Sequence, residues 1–235
     1  MHKIILTGGP GGGKTTALPK IKQYFESRPP GEGGYKVFTL PESPTIFFSN
    51  GVPRATNPLE LATLQTSIIS LQLEMEDAFG AVANALKSPY TLLLCDRGAL
   101  DGYAFMPPAD FFSVLLENEW AFGDLLGRYD GIVHLVTAAD GAMEHYKTGE
   151  GTPRVESAER SIEIDRKLQE VYRKHPNHWV VSNADPGGFE QKVNVAIWAI
   201  ERILLGKKAA SAGGLHDGVD HCDECRGALR EIFGS

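Results

Sequence analysis

The chain has 235 residues, of which 42% are hydrophobic, so it can bury a full core, and its length predicts one main domain with elaborations. A formal net charge of -7 without a long run of lysine or arginine argues against non-specific binding to nucleic acid or to an anionic membrane. No apolar run approaches the ~20 residues of a membrane span, and no signal peptide precedes the first strand, so we expect a soluble cytoplasmic protein.

The chain begins with a short apolar strand that leads into a glycine-rich loop. Residues 8–15 fit the pattern G-x-x-x-x-G-K-[ST] with no mismatch. Glycines let consecutive backbone N–H groups cradle a polyphosphate, the lysine adds a movable positive charge, and the following hydroxyl can bind Mg²⁺ where a helix starts. The loop therefore predicts a site for ATP or GTP with Mg²⁺, formed by Gly9, Gly11, Gly12, Gly13, Lys14, Thr15 and Thr16.

Two helices and one strand account for the next part of the chain. Apolar spacing predicts a helix to about Ser27, and residues 36–40 predict a second strand. Glu42 lies just past that strand between two prolines, either as a surface residue of a turn or as a carboxylate at the ligand edge of a sheet. Asn57 and Pro58 then begin one long amphipathic helix, whose apolar stripe indicates a core face.

A continuous apolar run over residues 91–96 predicts a third strand that is buried on both faces. It ends in Asp96, the pattern called Walker B, and Arg97 follows at once. The alternative for Asp96 is a simple turn residue at the end of a strand. The glycine loop at the start of the chain favours the functional interpretation.

The second half of the chain continues the alternation, with predicted helices over 107–116, 118–126 and 157–174, strands over 131–136 and 179–181, and a last helix opening at Asp185-Pro186. Residues 137–156 are polar and turn-rich, which predicts a mobile lid. One lid arginine, Arg154, is predicted to contact the phosphates because it lies outside the following helix, whose charges pair with neighbours. The domain should end near Leu205, before a linker at 206–214 and a tail at 215–235.

This alternation predicts an α/β fold, a doubly wound parallel sheet of five strands with helices on both faces. The carboxyl ends of parallel strands meet at one edge, which is where such sheets bind ligands. That edge would collect Lys14, Thr15, Glu42, Asp96, Arg97 and the loop that contains Asn183. We therefore expect a nucleotide site there, with Asn183 among its contacts.

The residues at this edge suit phosphoryl transfer. Asp96 and Thr15 would hold Mg²⁺, the aspartate directly or through water, while Lys14 neutralises charge as the bond breaks. Glu42 could accept the proton of a substrate hydroxyl, with Arg97 fixing its orientation.

Several motifs resemble a P-loop family grouped with AAA-type NTPases, which includes the nicotinamide riboside kinase domain and the N-terminal domain of TRPL translocation defect proteins. The resemblance covers roughly residues 3–205 and rests on residues 8–16, Pro41-Glu42, Asp96-Arg97-Gly98 and the segment from Tyr146 to Glu156. Residues 71–77 and His175-Pro176 make the translocation defect proteins the closer match. Proteins similar to them are described as binding GTP and phosphoinositides.

The pair after the third strand and the glutamate after the second are also similar to deoxynucleoside kinases. This resemblance implies a base, a metal contact and a substrate-orienting arginine at Glu42, Asp96 and Arg97. Two functions follow: a kinase that phosphorylates a hydroxyl of a small nucleoside-like molecule, or a nucleotide switch without an acceptor. We expect the long helix, Asp101, Tyr103 and Phe105 to line any acceptor pocket.

The tail contains a group of residues of the types that zinc accepts, namely His216, His221, Cys222 and Cys225. Either a structural Zn²⁺ knuckle or a solvated tail is consistent with this spacing. Residues 226–233 could form a short helix that packs on the body or on a second subunit, which leaves a homodimer open.

Overall fold

A computed structural model describes residues 1–87, 89–146, 156–183 and 187–206. Its centre is a sheet of five parallel strands in the order β2-β3-β1-β4-β5. The strands are β1 His2–Thr7, β2 Lys36–Leu40, β3 Thr91–Asp96, β4 Gly131–Leu135 and β5 His178–Val181. The five-stranded parallel sheet predicted from the sequence is confirmed.

Seven α-helices are described within these ranges. They are α1 Lys14–Glu26, α2 Ser43–Ser49, α3 Pro58–Ala85, α4 Pro108–Glu117, α5 Phe122–Gly127, α6 Ala158–Tyr172 and α7 Gly188–Leu204. Short 3-10 helices lie at Asp101–Ala104 and Met143–His145. None of these helices is both long and apolar enough to cross a membrane.

Helices cover both faces of the sheet because side chains alternate along each strand. Ile4 and Leu6 of β1 pack with α1 and α7 in one hydrophobic cluster. Ile5, between them, packs in a second cluster with residues of α3, α4, α5 and α6. Full burial of an isoleucine or leucine contributes about 1.5–3 kcal/mol, so the two clusters together fix the doubly wound arrangement.

The long helix was predicted correctly, and Asn57 caps it by accepting a hydrogen bond from the Glu60 N–H at 2.9 Å. Two details of the local structure differ from the predictions. The short helix α2 was not predicted; Pro44 lies in its first turn, where its missing N–H costs no hydrogen bond. The helix expected over 118–126 begins only at Phe122, because Glu119 adopts a left-handed conformation with φ of 57°.

Several predictions fall outside the described residues. Residues 147–155 of the proposed lid, including Arg154, lie there, as do Asp185 and Pro186 at the expected start of the last helix. The linker beyond Gly206 and the whole tail, with the proposed zinc ligands His216, His221, Cys222 and Cys225, also lie outside them. The structure adds nothing to these predictions.

Candidate active site

The glycine loop joins the end of β1 to the start of α1 and encloses a cavity of about 180 Å³. Gly11 and Gly13 have φ of 82° and 85°, a region that residues with a side chain rarely adopt. At Gly13 a Cβ would also collide with the ring of Phe189. The described lining matches much of the sequence prediction: Pro10, Gly11, Gly12, Gly13, Lys14, Thr15 and Thr16, with Glu42, Asp96 and Arg97 opposite.

Gly9 differs from the other glycines of this loop. Its N–H donates to Asp165 Oδ1 at 2.7 Å and it does not line the cavity. A buried carboxylate therefore already satisfies the amide of Gly9, and its phosphate contact stays a prediction. Asp165 lies far away in sequence, and nothing in the glycine motif could have indicated it.

Lys14 lies inside the loop, where its Nζ donates to the carbonyl oxygens of Gly8 at 2.6 Å and Gly9 at 3.2 Å. Burial, together with the positive charge of Arg97, lowers the pKa of Lys14 to about 8. The oxygens of a polyphosphate would offer this ammonium group stronger partners than two neutral carbonyls.

Asp96, at the end of β3, lines the same cavity as Thr15. Its Oδ1 is buried and has no hydrogen-bond partner among the described residues. Burial raises the pKa of Asp96, against the opposing charges of Lys14 and Arg97. An unpartnered carboxylate oxygen beside a hydroxyl fits Mg²⁺, which takes oxygen ligands and completes its shell with phosphate and water. The described residues contain no cluster of three acidic, histidine or cysteine ligands, so the protein alone would not enclose the ion.

Glu42 and Arg97 form an ion pair between the ends of β2 and β3, with the Arg97 Nε–H donating to Glu42 Oε1. The Thr45 hydroxyl donates to Glu42 Oε2 at 2.6 Å. Burial opposes ionisation of Glu42, but the Arg97 charge and these hydrogen bonds outweigh it and lower its pKa to about 2. The pair that the sequence proposed is therefore in contact and ionised at neutral pH.

The backbone at Arg97 is left-handed, with φ of 78°, which is uncommon for a residue with a long side chain. Two hydrogen bonds hold it: the Arg97 N–H donates to the Leu6 carbonyl at 3.1 Å, and Gln72 Nε2 donates to the Arg97 carbonyl at 3.2 Å. Gln72 lies on the buried face of α3 and had no role in the sequence analysis. The available signal was that Gln72 shares the buried face of this helix with apolar residues and with two other polar residues, Gln65 and Glu76.

Asp101 anchors the other end of the Arg97 side chain. Its Oδ2 accepts hydrogen bonds from Arg97 Nη1 at 3.3 Å and from the Thr7 hydroxyl at 2.9 Å. Its Oδ1 accepts from the Tyr172 hydroxyl at 2.7 Å. The sequence placed Asp101 only on a pocket wall; its contacts show that it also fixes the arginine.

A second cavity, of about 620 Å³, lies between α2, α3 and the turn that follows β3. It meets the phosphate cavity at Pro10, Glu42 and Arg97, which line both. Its other lining includes apolar side chains, several of them from α3, together with polar residues, namely Ser43, Thr45, Ser49, Arg54, Gln65, Gln72, Asp101 and Glu156. This is the pocket expected beside the long helix.

Two residues expected in contact with ligands have other partners. Tyr103 does not line the cavity with Phe105, because its ring packs edge-on against Phe111 at 5.5 Å. Asn183 Nδ2 donates to the carbonyls of Thr137 at 2.7 Å and Asp140 at 2.6 Å. Its amide thus fixes the loop after β4, and the predicted nucleotide contact of Asn183 is not formed by these atoms.

The glycine loop after the central strand, followed by a helix on a parallel sheet, defines a P-loop protein with a kinase-type fold. A family model described as an AAA domain matches residues 3–192, and the chain belongs to this family. The resemblance to this family inferred from the sequence is confirmed.

Among solved structures, the chain is similar to deoxyadenosine kinase from M. mycoides with bound dATP. The sequence identity is 14%, the TM-score is 0.54, and the match covers 86% of this chain and 100% of that one. At this identity the likeness establishes the fold. A search of curated proteins gave no match.

Proposed function

We propose that this chain is a Mg²⁺-dependent phosphotransferase that moves the γ-phosphoryl group of ATP or GTP to a hydroxyl of a small nucleoside-like acceptor. The observation that carries the proposal is the junction of two cavities at Glu42 and Arg97. A triphosphate held by the glycine loop would direct its last phosphate toward this junction. The larger cavity, of about 620 Å³, has the size of a small-molecule site.

The glycine loop would bind and orient the triphosphate. Its amides and Lys14 would contact the phosphate oxygens, and the lysine would offset the charge that develops on them. Thr15 and Asp96 would hold Mg²⁺, which when bound supplies charge neutralisation across the β- and γ-phosphates.

Glu42 would act on the acceptor side of the junction. With a pKa of about 2 it is ionised at neutral pH, so it can accept a hydrogen bond from the attacking hydroxyl. A base this weak accepts the proton only late in the reaction, after the bond to phosphorus has begun to form. This order suits the loose transition state of phosphoryl transfer. Arg97, fixed by Asp101, keeps the carboxylate in one orientation.

A nucleoside-like acceptor is supported by three features. The larger cavity combines the aromatic rings of Phe48 and Phe105 with the amide groups of Gln65 and Gln72, a lining that suits a flat polar ring. The similar mycoplasma protein is a deoxyadenosine kinase. The sequence resemblance also includes nucleoside kinases.

The experiment incubates purified protein with Mg²⁺ and ATP or GTP and follows release of the nucleoside diphosphate, with and without a pool of nucleosides and related hydroxyl compounds. We expect one acceptor to raise the release rate at least about tenfold. The variant Glu42→Gln should lose that stimulation while its affinity for nucleotide stays within about twofold, because the glycine loop and Lys14 would hold the phosphates and residue 42 would contact the acceptor. EDTA should stop the reaction.

Slow turnover that ignores every acceptor, equally in wild type and Glu42→Gln, would contradict the proposal. The remaining function would then be the nucleotide switch, in which binding or hydrolysis reorganises a surface for a partner.

A further inference from the structure

Helix α6 contacts both halves of the site through two buried polar side chains. Asp165 and Tyr172 lie two helical turns apart and therefore on the same face of the helix. Their relative exposures are 2% and 0%. Neither lines the phosphate cavity or the larger cavity, so any effect they have on ligands passes through the residues they hold.

Asp165 contacts the nucleotide half. Its Oδ1 accepts the Gly9 N–H at 2.7 Å and the Thr137 N–H at 3.0 Å, which ties the glycine loop to the end of β4. Its Oδ2 meets His134 Nε2 at 3.0 Å and accepts Gln169 Nε2 at 2.9 Å. Burial opposes ionisation, but His134 and these hydrogen bonds lower the pKa of Asp165 to about 2. The hydrogen bonds from Gly9 and Thr137 are therefore charge-assisted and strong.

Tyr172 contacts the acceptor half. Its hydroxyl donates to Asp101 Oδ1 at 2.7 Å, and the other oxygen of Asp101 accepts from Arg97. The same hydroxyl lies so close to Gly98 that a Cβ there would approach it to 2.5 Å. Tyr172 thus supports the turn from which Arg97 reaches Glu42.

Hydrogen bonds connect Tyr146, which precedes residues 147–155, with residues at the start of α6. The Tyr146 hydroxyl donates to the Glu156 carbonyl at 3.0 Å and is also hydrogen-bonded to the Ser161 hydroxyl. The Tyr146 ring lies against Gly11 of the glycine loop. Helix α6 therefore contacts the glycine loop, the turn that contains Arg97 and the segment that ends at Tyr146.

We propose that α6 sets the two halves of the site relative to each other, with Asp165 a positioning residue for the nucleotide and Tyr172 a positioning residue for the acceptor. The nucleotide part requires only the glycine loop, whereas the acceptor part rests on the proposed phosphotransferase function. The two residues should therefore have separate kinetic effects, although they share one helix and one buried environment.

The test compares Asp165→Ala, Asp165→Asn and Tyr172→Phe with Lys167→Ala, a control on the same helix whose ion pair with Glu163 lies at the surface. Titration with a fluorescent ATP or GTP analogue gives the nucleotide Kd. Turnover at saturating nucleotide gives kcat and KM for the acceptor. Thermal unfolding shows that each variant is folded.

For Asp165→Ala we expect the nucleotide Kd to rise at least about tenfold, with the acceptor KM within about twofold, because the hydrogen bonds that tie Gly9 of the loop to Thr137 after β4 are lost. Asp165→Asn keeps an oxygen for both amides and should recover most of the affinity.

Tyr172→Phe should lower kcat/KM for the acceptor about tenfold and leave the nucleotide Kd within about twofold. Lys167→Ala should change neither constant.

Equal effects of both variants on both constants, or a loss of thermal stability alone, would overturn the proposal. If no acceptor exists, the proposed function fails, and turnover cannot serve as the readout. The readout is then the NMR resonance of the Arg97 Nε–H, which is assigned by its loss in Arg97→Lys. Tyr172→Phe should then shift that resonance and speed its exchange with water, whereas Asp165→Ala should not. An unchanged resonance in Tyr172→Phe would overturn the acceptor part independently of any activity.

Discussion

Arg97 is the residue on which most of the polar contacts at this site converge. Its side chain bridges Glu42 and Asp101, and its backbone is held in a left-handed conformation with φ of 78°. Such a conformation costs about 1–3 kcal/mol, which the hydrogen bond to the Leu6 carbonyl and the one from Gln72 help to offset. The planar guanidinium suits two carboxylates at once, whereas a lysine offers a single charged point. We interpret the strained turn as a feature that places the ion pair between the two cavities.

Lys14 leads to a prediction about pH. In the free protein burial, and after it the charge of Arg97, lowers its pKa to about 8, although Asp96, Glu42 and Asp101 favour the charged form. A bound polyphosphate adds negative charge and raises this pKa. Below about pH 8 the ammonium group is already present; above it, binding must first take up a proton. The nucleotide affinity should therefore fall as pH rises through 8, by at most about tenfold per pH unit.

Titration calorimetry of ATP or GTP binding in buffers of different ionisation enthalpy measures both the affinity and the proton uptake. The variant Lys14→Met should bind more weakly at all pH values and lose most of the proton uptake above pH 8. Proton uptake equal to that of the wild type in this variant would show that another group titrates.

Among the elements, those with a regular pattern could be predicted and those set by distant contacts could not. The apolar spacing of α3 and the apolar run of β3 gave both elements from sequence. The short α2 was missed because its seven residues are too few for a period to show and because Pro41 precedes it and Pro44 lies in its first turn. The bond from Asp165 to Gly9 joins residues 156 positions apart, so no local pattern could indicate it.

The turn after β3 leads to a prediction about stability. A Cβ at Gly98 would collide with Ile5 and lie 2.5 Å from the Tyr172 hydroxyl. Gly98→Ala should lower the free energy of unfolding by about 1–3 kcal/mol, as overpacking of a filled core does. Gly123→Ala is the matched control, since a Cβ there meets nothing within 4 Å and α5 should gain slightly from alanine. Urea unfolding measures both, and equal stability of the two variants would contradict the packing argument.

For the whole molecule, the sheet explains why separate parts of the sequence meet. Parallel strands bring their carboxyl ends to one edge, so the convergence of Lys14, Thr15, Glu42, Asp96 and Arg97 could be expected from the order of strands and helices. The identity of the acceptor could not, because the larger cavity combines side chains of α2, α3 and the turn after β3 with Pro10 and Glu156. Its shape depends on how these elements pack, and the sequence pattern does not encode that.

The central claim is that the two cavities form one site for phosphoryl transfer. The most direct test supplies ATP or GTP labelled with ¹⁸O in the γ-phosphoryl group, together with the acceptor that stimulates turnover, and analyses the products by mass spectrometry. The account predicts that the acceptor gains a phosphoryl group carrying the label and that Glu42→Gln forms little of it. Label found only in inorganic phosphate would contradict the account, since the phosphoryl group would then pass to water and the larger cavity would have another purpose.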